Sequence, residues 1–186
     1  LLLDLEEAEA EASQTTAQPT GTLKVNVPVT FGIQHLAPLW PDFLQRYPEL
    51  RLELSLSDQK VDVLEAGYDL VVRIAALPDS SVIARRIATT HSLLCAAPSY
   101  LARVGLPNPP DELSQMQAIG YSYARQRDEW NFQHIHSGQT ARVTVPTHMQ
   151  VNNGDTIRLA ALSGMGVILQ PSFLVGDDLK AGRLVQ

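Results

Sequence analysis

The 186 residues are 45% hydrophobic and 18% charged, enough apolar material for a sizeable core and too little charge for a globally disordered chain. The net charge of −6 leaves no dense basic face of the kind duplex DNA requires. A single cysteine, Cys95, excludes an internal disulfide framework. No apolar run is long enough to span a bilayer, and the opening Leu1-Leu2-Leu3-Asp4-Leu5-Glu6-Glu7 is acidic where a signal peptide would be basic. A cytoplasmic protein of one large or two small domains, without membrane contact, is expected.

In chain order, Leu1, Leu5, Ala8 and Ala12 step by four and three, the a/d pattern of a coiled-coil seam. Residues 1–18 are only a little longer than the about 12–15 residues below which an isolated helix is marginal. They read as the tail of a longer helix paired with another chain; the competing reading is a frayed acidic remnant. Pro19-Thr20-Gly21 ends that helix. Leu23, Val25 and Val27 then alternate with polar residues as in a strand, and Ile33, Leu36, Leu39, Trp40, Phe43, Leu44 and Tyr47 follow helical spacing. Pro38 and Pro41 fit poorly inside one regular helix, so a late start or a kink is expected. Leu50, Leu52, Leu54 and Leu56 return to period two. Val61 to Ala66 predicts a short helix, and the apolar run Asp69 to Ile74 a strand in a sheet covered on both faces. The alternation implies an open parallel α/β sheet.

A second unit in the same style follows. Ser92 to Ala96 predicts a buried strand, Pro98 to Val104 a short helix, Asn108 to Leu113 a helical turn and Gln117 to Tyr121 a strand. Trp130 to Phe132 with Ala141 to Val145 predicts a hairpin. Asn153-Gly154-Asp155 caps a helix from Thr156 to Ser163, and Gly166 to Gln170 forms a strand. Two small α/β units imply a cleft, with ligands beyond the carboxyl ends of the strands.

The blocks Gly21 to Pro28 with Phe31-Gly32 and His35-Leu36, Phe43 to Pro48, Ser57-Asp58, Asp62 to Ile74, Asp79 to Arg86, Cys95 to Leu101, and Ala160 to Gly166 with Gln170-Pro171 resemble, in order and spacing, the effector-binding domain of LysR-type transcription regulators. The resemblance covers nearly the whole chain. It implies two Rossmann-like subdomains of the type II periplasmic-binding-protein-like class, with a ligand cleft between them. The expected divisions are 1–18 for the end of the dimerising linker helix, 21–93 for regulatory subdomain I, its C-terminal part missing, and 94–186 for subdomain II. It also implies a homodimer or tetramer, with the apolar helix Ile33 to Tyr47 as a face, and DNA contact only through an N-terminal winged helix-turn-helix outside this sequence.

The first binding candidate is the turn Pro28 to Gly32. Backbone N–H groups of Val29, Thr30 and Phe31 and the Thr30 hydroxyl could hold an anion; the structural alternative is that Thr30 merely caps the helix. The second is Tyr121 to Arg127, where Ser122 could donate to a ligand oxygen and Arg125 could pair with a carboxylate; a solvated loop arginine is the alternative. Asn152 and Asn153 precede a helix and share the logic of Thr30, whereas Asp155 reads as a capping or structural residue. Ile74 and Gln170, at the ends of their strands, complete the expected ligand set. Arg73 ends a buried strand and calls for structural ion pairing.

Catalytic constellations are thin. Gly164-Met165-Gly166 follows a helix, the wrong context for a dinucleotide loop, and Ser163 lacks a nucleophile elbow. His91 and Cys95 have no orienting third group, and His134 with His136 lacks a third metal ligand. No enzyme activity, cofactor or metal is expected. A small-molecule sensor is the leading reading. A secreted solute-binding protein would bring a signal peptide and no linker helix. A small α/β enzyme would need a nucleophile–base pair or a cofactor loop.

Overall fold

The computed structural model describes residues 18–59, 66–75, 83–124, 128–133 and 137–186. The expected linker helix up to residue 17, the helix at Val61, Arg125, and the His134–His136 pair lie outside the described residues. The chain divides into two compact units, between Arg73 and Ile74. The division expected after residue 93 falls inside a strand, Ser92–Ala96, that pairs along its whole length within the second unit.

In the first unit, β1 (Gly21–Val27) is the centre of a three-stranded parallel sheet between β2 (Leu50–Leu56) and β3 (Leu70–Val71). β1 buries Val25, Asn26 and Val27, its last three residues. β3 is shorter than its apolar run suggested and Leu70 is exposed, so this strand is not covered on both faces. The ladder nevertheless continues past it, with Asp69 N donating to Lys24 O at 3.0 Å and Val72 N to Asn26 O at 2.9 Å.

The helical run after β1 is broken by its own sequence. It begins as α1 (Val29–Phe31), widens into a π turn (Gly32–Leu36), tightens into a 3-10 turn (Ala37–Leu39) and resumes as α2 (Trp40–Arg46). Each proline sits in the first turn of its piece, where a missing N–H costs nothing. Gly32 is there for close approach: a Cβ on it would lie 2.7 Å from Val27 Cγ2. Ile33 and Leu39 remain exposed, while Trp40 meets Phe43 edge to face and Phe43 lies tilted against Tyr47.

The second unit holds a four-stranded mixed sheet in the order β4 (Ser92–Ala96), β9 (Val167–Pro171), β5 (Ala118–Tyr121), β8 (Thr147–Val151). β4 runs antiparallel to β9; the other pairs are parallel. This differs from the all-parallel sheet expected, and an antiparallel edge strand is a common variation. Around the sheet are α3 (Pro98–Val104), a 3-10 turn (Pro110–Gln115), the hairpin β6 (Glu129–Gln133) with β7 (Thr140–Thr144), α4 (Gly154–Leu162) and α5 (Ser172–Lys180). β8 and α5 were not read from the sequence.

Strict alternation divides the core of this unit between the two sheet faces. Cys95, Ile119 and Ile168 join Ile157, Ala161, Val175 and Leu184 in one cluster. Their neighbours Ala96, Ala118 and Val167 join Tyr100, Leu113, Trp130 and Val143 in the other. The fully buried Asp178 of α5 accepts hydrogen bonds from both Nε and Nη2 of Arg158 in α4, the latter at 2.9 Å, and from Arg183 Nε at 2.7 Å. Beyond it, Val185 bridges β4 at Ala96. Residues 83–89 run exposed and outside any strand or helix. No helix among the described residues is long and apolar enough to cross a membrane.

Candidate functional site

Among the described residues, expected ligand residues lie at or just past the carboxyl ends of parallel strands, the usual ligand end of open α/β sheets. In the first unit the chain leaves β1 through the extended Pro28 and turns at once into α1. Thr30 is only 4% exposed. Val29 N donates to Asp58 Oδ1 at 3.0 Å, so a carboxylate of the protein already occupies part of the donor set offered to an anion. Asp58 follows β2, and sequence reading noted the Ser57-Asp58 pair without giving it this role. Phe31 packs against His35 with ring centroids 5.1 Å apart. Ile74, the first residue of the second unit, is exposed, three residues past β3.

In the second unit four expected residues lie at the ends of adjacent strands. Ser122 follows β5, and its N–H donates to Val151 O at 2.9 Å. Asn152 follows β8, and its Nδ2 donates to the Tyr123 hydroxyl at 3.4 Å, a partner not foreseen. Asn153 caps α4: its Oδ1 accepts from Thr156 N at 2.9 Å and from Thr156 Oγ1 at 3.0 Å. Buried Gln170 ends β9 close to the start of α4, since a Cβ on Gly154 would lie 3.5 Å from its Oε1. A cavity of about 620 Å³ in this unit is lined by Leu94, Pro110, Phe132 and Ala141 among others, and by none of these residues.

Nothing in this arrangement builds a nucleophile. Burial, helped by the charge of Asp178, pushes the Cys95 thiol up to about 11, and His91 is exposed while Cys95 is buried. Among the described residues no group of three His, Cys, Asp or Glu could hold a metal. Arg73 has an amide where a charge was expected: its Nη1 donates to Asn26 Oδ1 at 2.7 Å.

A family profile described as LysR substrate binding domain matches residues 16–186. An uncharacterized HTH-type transcriptional regulator of Haemophilus influenzae is 34% identical over 186 residues, all of this chain and 64% of that protein. The regulatory domain of CrgA, a LysR-type transcriptional regulator from Neisseria meningitidis, superposes with a TM-score of 0.74 at 29% identity, over 90% of this chain and 80% of that one. Full-length AphB of Vibrio cholerae, a virulence activator of the LTTR family, gives 0.78 at 26% identity, over 100% of this chain and 62% of that one. The chain thus spans somewhat less than two thirds of the curated relatives it matches. The fold is the type II periplasmic-binding-protein-like α/β fold of these regulatory domains. This chain belongs to the LysR substrate binding domain family.

Proposed function

We propose that this chain is the effector-sensing part of a cytoplasmic LysR-type transcription regulator. The observation that carries the reading is the family match along residues 16–186, with polar side chains gathered at the carboxyl ends of the strands in each unit. A small polar or carboxylate-bearing effector is held by residues among Val29, Thr30, Phe31, Ile74, Ser122, Arg125, Asn152, Asn153 and Gln170. Binding favours one arrangement of the protein, because an effector shifts an equilibrium only by its differential affinity for the two states. The output passes through paired subunits, as a homodimer or tetramer in which the exposed Ile33 and Leu39 belong to an association face. DNA is contacted by a part of a longer polypeptide outside these residues. The curated relatives are named as regulators, and no turnover is assigned to this chain.

The test is calorimetry of the chain against a panel of small carboxylates and other polar metabolites, repeated with Thr30→Val and Asn152→Ala. A panel member that binds the parent chain is expected to lose about tenfold affinity with each substitution, the worth of one good hydrogen bond. Unchanged affinity in both variants sinks the residue assignment, and a panel without any binder sinks the sensor reading.

A further inference from the structure

Asn26 and Arg73 stand together at the carboxyl end of the first unit's sheet. Asn26 pairs in register with Val71 of β3 and is 1% exposed. Arg73 follows β3 by two residues, and its Nη1 is shared between Asn26 Oδ1 at 2.7 Å and the Val72 carbonyl at 2.9 Å. One buried nitrogen on each side chain is left over. Asn26 Nδ2 and Arg73 Nη2 are both covered from solvent, and neither has a hydrogen-bond partner among the described residues. An unsatisfied buried donor is costly, more so when charged, so a structure that retains two on neighbouring side chains calls for a complementary group.

Both orphans donate, so the group that completes them is an acceptor, and a guanidinium edge beside an amide N–H matches the two oxygens of a carboxylate. Asp58 does not fill the role: its Oδ1 accepts from Val29 N, and neither orphan donates to it. Burial pulls Arg73 below its ordinary value, against the opposing influence of Tyr68 and Asp58. We propose that Asn26 and Arg73 form a carboxylate-binding pair, each donating one N–H to the acidic group of the effector. The pair rests on the sensor reading and deepens it: it names the ligand as a carboxylate and adds two contacts to the first unit. Arg73 as a residue is only partly buried, so the pair lies near the surface of the unit.

The experiment titrates acetate into the 186-residue chain, with acetamide at matched ionic strength as the neutral control, and follows the side-chain N–H resonances of Asn26 and Arg73. Both are expected to shift saturably with acetate and to stay in place with acetamide. Asn26→Asp gives Arg73 a carboxylate from within the protein, which keeps the fold, checked by circular dichroism, and is expected to weaken acetate at Arg73 by at least about tenfold. The pair is overturned if acetate moves neither resonance, if acetate and acetamide act alike, or if folded Asn26→Asp binds acetate as the parent does. The sensor reading fails separately, on a metabolite panel without a binder. Panel compounds that bind parent and Asn26→Asp chains equally leave that reading standing and remove only the pair.

Discussion

Asn153 divides its polar groups between structure and anything further. Its side-chain oxygen is committed to Thr156 at the start of α4, so only its Nδ2 remains to meet an effector. Cys95 is a plainer case. It lies among Ile119, Ile157 and Ile168, where burial and then the negative charge of Asp178 disfavour the thiolate and raise the thiol to about 11. At pH 8 it is a protonated, covered thiol, and nucleophilic attack needs the thiolate. Labelling with a thiol reagent is therefore expected to be slow in the native chain and fast after denaturant is added. Prompt native labelling would show that Cys95 is reached by solvent and that the cluster around it opens.

Among the elements, α4, α5 and the outgoing chain are tied at one carboxylate. Burial alone would raise the pKa of Asp178, but the hydrogen bonds and charges of Arg158 and Arg183 outweigh it and hold the group below its ordinary value of 3.8. Because the folded value is the lower one, the stabilisation is complete above the unfolded value and fades as pH falls below it toward the folded value. Asp178→Asn is expected to lower the melting temperature at pH 7, with a gap to the parent that narrows as pH is brought down through about 4 toward 2. Breaking a buried pair costs about 3–5 kcal/mol when a charge is stranded. Here Arg183 is half exposed and can turn to water, so the low end of that range applies. A gap that stays constant with pH would mean that the carboxylate charge is not the stabilising feature.

The same elements indicate what the sequence could tell. The strand Ser92–Ala96, the helix Pro98–Val104 and the hairpin follow from local periodicity and a proline start, and Asn153 follows from its place before Gly154-Asp155. α5 was missed because Gly176, Asp177 and Asp178 interrupt its apolar spacing, and its buried acid makes sense only beside Arg158, twenty residues away. β8 was missed because the polar members of Thr147–Val151 dilute the strand signal. At the candidate site, Thr30 and Ser122 are legible as turn residues after strands. The hydrogen bond from Arg73 to Asn26 spans 47 residues and exists only once β3 pairs with β1, so a strand-ending arginine was assigned a charge instead of an amide.

At the scale of the molecule the two units are unequally built. Among the described residues, the buried hydrophobic side chains of the first unit are Val25 and Val27, whereas the second unit has a cluster on each face of its sheet. Local stability follows buried apolar contact, so the second unit is the better candidate to persist alone. The exposed stretch 83–89 lies just ahead of its first strand and offers Arg85 and Arg86 side by side. Brief trypsin treatment is expected to cut there and leave a resistant fragment starting at Ile87, identified by mass; early loss of everything beyond Ser92 would contradict the self-sufficiency of that sheet. Such a fragment would retain Ser122, Asn152, Asn153 and Gln170 without Thr30, Asn26 or Arg73. One proteolytic nick thereby turns the question of which half grips an effector into a comparison of two affinities.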